Sequence, residues 1–298
     1  VQALTSEQAA ALTTSQIGGL LTTQVAAIET DDLAALTTVQ VRALSLDQLR
    51  SLSTDQVMAL TTEQARALTT AQVAALTSTQ VAAIQTEDIA ALQTQQVAVL
   101  GSTQVAALTT EQVAAIETQD LVVLSSLALR GLTTLGVQAL TTDQVAALST
   151  TQVAALLTTQ VAALETDDLG ALTTTQFASL GLAQVRALGT EQIGAITTDQ
   201  IGAMTSAQVA ALSTTQVAAI ASEDIAAMGV NQVRALSSTQ VEALTTDQVA
   251  AIETSDLVAL ATASLRGMTT LGVAALTSDQ VAALTSTQIA SLSSTQAA

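Results

Sequence analysis

Carboxylates are the reactive groups this chain holds in quantity, 25 of them in 298 residues. Glu29, Asp31 and Asp32 fall within four residues, and so do Glu165, Asp167 and Asp168. Hard cations take such oxygens, so calcium is the ion these two clusters suggest. Helix dipoles favour the same acids at a first turn, which accounts for them without metal. Little other chemistry is on offer. The chain has no Cys, His, Lys, Trp, Tyr or Pro, and its only aromatic is Phe177. Serine and threonine hydroxyls therefore lack a His or Lys to activate them. Acids dispersed over solvated first turns are poor candidates for acid–base work. Glycine-rich phosphate loops are missing too. The sequence assigns no catalytic residue and no cofactor-binding residue. Without thiolates or imidazoles it also assigns no transition-metal site.

What positions these residues is an eight-residue unit. From Leu4 through Leu292 every eighth residue is Leu, Ile or Met, as in ALTTEQAR (59–66), ALTTAQVA (67–74) and ALTSTQVA (75–82). A fixed short period specifies a one-dimensional array. Thr5 and Gln8 stand in the S/T-x-x-E/Q relation of a capping box. The Thr hydroxyl accepts from the Gln backbone N–H, and the Gln side chain accepts from the Thr N–H. Leu4 before the cap and the residue at position 9, usually Val in later units, then form a hydrophobic staple. Alanines extend the turn at little entropic cost. Each octad is thus predicted to be a helix of ~6 residues, ~9 Å long, ending in a tight corner.

Charge gives the same phase independently. Fourteen acids, Glu7, Asp31, Asp47, Asp55, Glu63 and Asp279 among them, occupy the second position after the cap. All seven arginines (Arg42, Arg50, Arg66, Arg130, Arg186, Arg234, Arg266) occupy another column, near the helix C-terminus. Both placements complement the helix dipole by about 0.3–1 kcal/mol each. In one continuous helix eight residues would turn ~800°, and the leucine stripe would wind around the rod by ~80° per unit. A β-solenoid calls for β-branched strands and glycine or asparagine corners, whereas Ala and Gln dominate here and glycines number 13. The expected fold is an all-α solenoid of very short helices, continuous over residues 1–298. One octad cannot offset its own ordering entropy, so neighbouring coils must stabilise it.

A longer period overlies the short one. Ile116–Val137 (IETQDLVVLSSLALRGLTTLGV) returns as Ile252–Val273 (IETSDLVALATASLRGMTTLGV), an offset of 252 − 116 = 136 residues, or 17 octads. The copies run approximately over 1–136 and 137–272, with a partial third over 273–298. The third position after the cap is Gln in 27 of 37 octads. Six carry Asp there (Asp32, Asp88, Asp120, Asp168, Asp224, Asp256), and four carry Ala128, Gly136, Ser264 or Gly272. Those four octads also place Leu127, Leu135, Ala263 and Leu271 where a helix should face water. Two readings stand. Leu127, Leu135, Gly136, Ala263, Leu271 and Gly272 form a docking patch recurring once per copy, or the chain bends locally and folds them inward.

Net charge is −18, which repels nucleic acid and anionic lipid. Mean hydropathy is +0.50, yet no apolar run approaches the roughly 20 residues of a membrane-spanning helix. Disorder is disfavoured because 49% hydrophobic content stands in strict register. No leader is visible, and Val1 and Ala298 fall mid-pattern, as expected of a mature protein or a cut from a longer one. Ala3–Leu12 and Ser291–Ala298 read as ordinary units without polar capping repeats, which favours head-to-tail continuation or lateral packing over them.

The segment LTTDQVAAL (140–148) resembles the octad arrays of large repetitive proteins from beta-proteobacteria and their relatives. The resemblance covers the whole chain and implies a surface-associated or secreted structural role. The opening of each octad is also similar to the first-helix start of TAL-effector repeats. The longer repeat, the basic surface and the base-reading pair of that family are lacking, so DNA reading does not carry over. The expectation is a self-assembling extracellular filament or surface stalk whose main partner is another copy of itself. The alternative is an acidic binding module, or adhesin, for a protein or glycan.

Overall fold

The structure, a computed structural model, describes residues 4–296; Val1–Ala3 and Ala297–Ala298, and with them the outer edges of the two end units, lie outside it. Thirty-six short helices follow one another among the described residues, numbered α1 (Ser6–Ala10) to α36 (Ser286–Ser291), and no strand occurs. The predicted octad phase holds throughout. In α9 (Thr70–Ala75) the Thr69 hydroxyl accepts from the Gln72 N–H at 3.2 Å, and the Thr69 N–H donates to Gln72 Oε1 at 2.9 Å. The same reciprocal pair recurs along the chain wherever Thr or Ser stands at the cap and Gln three residues later.

Helix length departs from the predicted six residues. Eight helices have only four, and seven of those start at a residue without a hydroxyl (Leu21, Gln93, Gly101, Glu117, Leu157, Glu253, Ala261). A lost cap leaves one first-turn N–H without its side-chain acceptor, and such short helices are sensitive to that loss. Corners need no special residue. Leu76 (φ −57°, ψ 137°) and Thr77 (φ −71°, ψ 159°) are both extended, and no described residue has a positive φ. Two extended residues therefore turn the chain, which explains how it manages with few glycines and no proline.

Within each of two compact units, a helix packs against the third helix after it. The helices α7 (Thr54–Met58), α10 (Ser78–Ala83) and α13 (Ser102–Val105) form one such column. A coil of the solenoid is thus about three octads, and its core is the corner leucine together with the Val, Ile or Leu at the fourth helical position, both buried in almost every unit. The interior is filled: an apolar void among Val57, Val73, Val81 and Leu92 measures about 10 Å³, too small for a ligand. The chain divides into two compact units, the first ending at Leu156 and the second beginning at Leu157, and each is built in this way.

Candidate functional site

Glutamine at the third helical position does more than cap its own helix. Where a coil precedes it, as at Gln40 and Gln48, its side chain is buried and its Nε2 donates to carbonyls of that coil, whereas Gln8, Gln16 and Gln24 are exposed. Gln80 donates to Leu49 O at 2.8 Å and Leu52 O at 2.9 Å, while its Oε1 accepts from the Thr77 N–H at 3.0 Å. Gln232 repeats the arrangement in the second unit, reaching Ile201 O at 2.7 Å and Met204 O at 2.8 Å. These acceptors lie 31 and 28 residues earlier, one at the end of a helix and one at the corner after it. Carbonyls at helix ends have no partner within the helix. One amide therefore satisfies the N-terminus of its own helix and the C-terminus of a helix in the coil before. Repeated octad after octad, these bonds make a ladder between coils. A capping box accepts Glu as well as Gln, and the helix dipole would prefer Glu. None of the 37 octads carries Glu there; the absence of Glu beside 27 Gln was the sequence signal for a donor at this position.

Arginines act across coils as well. Arg50 Nε donates to Ala75 O at 3.0 Å, Arg186 Nε to Ala211 O at 3.3 Å and Arg266 Nε to Ser291 O at 3.1 Å. The cation predicted to serve its own helix C-terminus thus also serves that of the helix packed against it. Arg50 and Asp47 approach to 3.5 Å on an exposed surface, a pairing worth little.

Aspartates in the glutamine column have no N–H to offer the carbonyls, and three of them accept a hydroxyl from the coil before. Ser6 donates to Asp32 at 2.8 Å, Thr62 to Asp88 at 2.7 Å and Thr198 to Asp224 at 2.8 Å. Burial pushes the Asp88 and Asp224 carboxyls above the ordinary range; the Thr62 and Thr198 hydroxyls oppose this, and neighbouring Glu87 and Glu223 add to it. Exposed Glu111 moves the other way, because its own backbone N–H and the hydroxyls of Thr109 and Thr110 stabilise its charge. Asp120 is buried with Oδ1 unpartnered.

This placement separates the calcium candidates. Glu29, Asp31, Glu165 and Asp167 are exposed, whereas Asp32 and Asp168 are buried at the glutamine position. A side chain at the second helical position faces water and one at the third faces the neighbouring coil, so neither trio converges. Among the described residues no group of three carboxylates could hold an ion.

Leu127, Leu135 and Leu271 are 68%, 64% and 71% exposed, and Ala263 is exposed too, so these residues do not fold inward. Gly136 and Gly272 do not belong with them: both are buried, because they stand at the glutamine position facing the coil before. Leu21 and Val39 are comparably exposed elsewhere in the first unit. That unit also carries an open polar groove of about 500 Å³, lined by Arg66, Gln93, Gln95, Glu117 and Gln119. No helix is long and apolar enough to cross a membrane. The family model described as the ALTTAQ repeat matches residues 25–62, 57–83, 81–115, 113–150, 161–198, 183–214, 194–221, 217–251 and 249–286. No curated protein matches the chain.

Proposed function

Since the chain belongs to the ALTTAQ-repeat family, we propose that it is a non-catalytic structural protein that assembles with copies of itself into an extracellular filament or surface stalk. The observation that carries this reading is the exposure of Leu127 and Leu135 in one copy of the long repeat and Leu271 in the next. Apolar side chains presented at a fixed interval suit repeated contacts between identical chains. The commitment of buried glutamines to bonds between coils supports it further, since those groups serve the scaffold and not a ligand. Electron microscopy of the purified chain, with and without calcium, tests the proposal. Fibres are expected, and Leu127→Thr/Leu135→Thr/Leu271→Thr should abolish them while leaving the circular dichroism spectrum unchanged. Monodisperse monomers at high concentration under both conditions would count against assembly.

A second reading is favoured by the groove beside Arg66. Amides, a guanidinium and a carboxylate around one open channel suit a glycan or an extended peptide. It predicts a monomer that binds oligosaccharides or peptides and loses them on Arg66→Ala.

A further inference from the structure

In each copy of the long repeat, three consecutive helices lack the glutamine. They are α15 (Thr118–Leu121), α16 (Ser126–Leu129) and α17 (Thr134–Gln138), with Asp120, Ala128 and Gly136, and α32 (Thr254–Leu257), α33 (Thr262–Leu265) and α34 (Thr270–Ala275), with Asp256, Ser264 and Gly272. Three consecutive helices span most of a coil, so nearly a whole coil-to-coil interface has lost its glutamine rungs. By register, Asp120, Ala128 and Gly136 face the carbonyls of Ile89 and Leu92, Val97 and Leu100, and Val105 and Leu108, and none of these three donates a side-chain bond to them. The second copy keeps one substitute, Ser264 Oγ to Leu236 O at 2.7 Å. The ladder resumes on the far side, where Gln144 and Gln152 bond Ile116 O at 2.7 Å and Leu124 O at 3.0 Å.

Two further features fall at the same interface. Asp120 Oδ1 is buried without a partner. The backbones also come close: a Cβ on Gly131 would collide with the Ser102 carbonyl, and one on Gly267 with the Ser238 carbonyl. The Gly131 N–H is turned to Ala128 O, so this approach gains van der Waals contact and no hydrogen bond between coils.

We infer that these unlaced interfaces, α11–α13 (Thr86–Ala90, Thr94–Val97, Ser102–Val105) against α15–α17 and α28–α30 (Ser222–Ala226, Val230–Arg234, Ser238–Glu242) against α32–α34, are built-in joints, where each unit opens before it opens anywhere else. The inference stands whether or not the chain polymerises.

Trypsin supplies the test, because its seven sites all occupy one column of the octad. Arg130 and Arg266 belong to the unlaced coils, while Arg50 and Arg66 lie in laced ones. Cleavage of the full native chain, each site normalised to its rate in urea, should be about tenfold or more faster at Arg130 and Arg266 than at Arg50 and Arg66. Glu117→Thr/Asp120→Gln restores a cap and a rung and should slow Arg130 alone. Conversely, Gln64→Ala/Gln72→Ala/Gln80→Ala unlaces the coil of α8 (Thr62–Ala67), α9 and α10 and should bring Arg66 into the fast class. Equal normalised rates in the parent chain, or no slowing of Arg130 by the restored rung, would overturn the inference.

Discussion

Gln80 shows how much one side chain carries. Gln80→Ala removes one accepted and two donated hydrogen bonds, at an expected cost of about 2–4 kcal/mol, measurable as a lowered urea midpoint. Gln80→Glu is more informative. It keeps the acceptor for Thr77 but sets a carboxylate against two carbonyls, so it should destabilise more than Ala at neutral pH and recover on acidification. Asp88 and Asp224 make the same point natively. Their carboxyls lie above the ordinary 3.8 in the folded state. The fold therefore holds their protons more tightly than the unfolded chain does, and their contribution to stability falls as pH rises from 3.8 through the raised values. Asparagine still accepts from Thr62 and Thr198 and carries no charge. Asp88→Asn/Asp224→Asn should raise the urea midpoint at pH 7 relative to the parent chain, with the gain shrinking toward pH 4. An equal gain at both pH values would contradict this account of the two aspartates.

At the scale of the helix, the cap is one contributor to length, for Glu29, Glu165 and Gly181 start six-residue helices without a hydroxyl. Leu21 caps α3 (Thr22–Val25) with no hydroxyl and is itself exposed, so Leu21→Thr should stabilise by about 0.5–1 kcal/mol and lengthen that helix. Glycines divide into two kinds. At Gly101 an added Cβ meets only the Gln104 amide oxygen at 3.8 Å, and Gly101→Ala should change the thermal midpoint little. Gly131→Ala would drive a methyl group into backbone of the neighbouring coil and should cost at least about 1–3 kcal/mol. Cap and helix phase were legible in the sequence, because each joins residues three to eight apart. The pairing of coils was not. When every octad resembles every other, a period of eight cannot say whether a helix packs on the third or the fourth after it. The one irregular column does not help, since a hydroxyl stands beneath Asp32, Asp88 and Asp224 but Val230 occupies the equivalent place for Asp256. Helix phase put Leu127 and Leu135 on the water side but left an inward bend open, whereas burial of Gly136 depended on which side of that helix meets the neighbouring coil.

For the whole molecule, the consequence is a structure whose long-range order comes from one repeated amide. A stack bonded in this way loses its coils singly, so urea unfolding should be broader than a two-state transition of the same enthalpy. Side-chain amide exchange tests the ladder most directly. In ¹H–¹⁵N spectra the Nε2 protons of Gln80, Gln200 and Gln232, buried and bonded to the coil before, should exchange many-fold more slowly than those of exposed Gln95 and Gln138. Gln80 and Gln232 should also show scalar coupling to carbonyl carbons 28 and 31 residues earlier. Exchange as fast as at Gln95, or coupling at any other separation, would contradict the ladder.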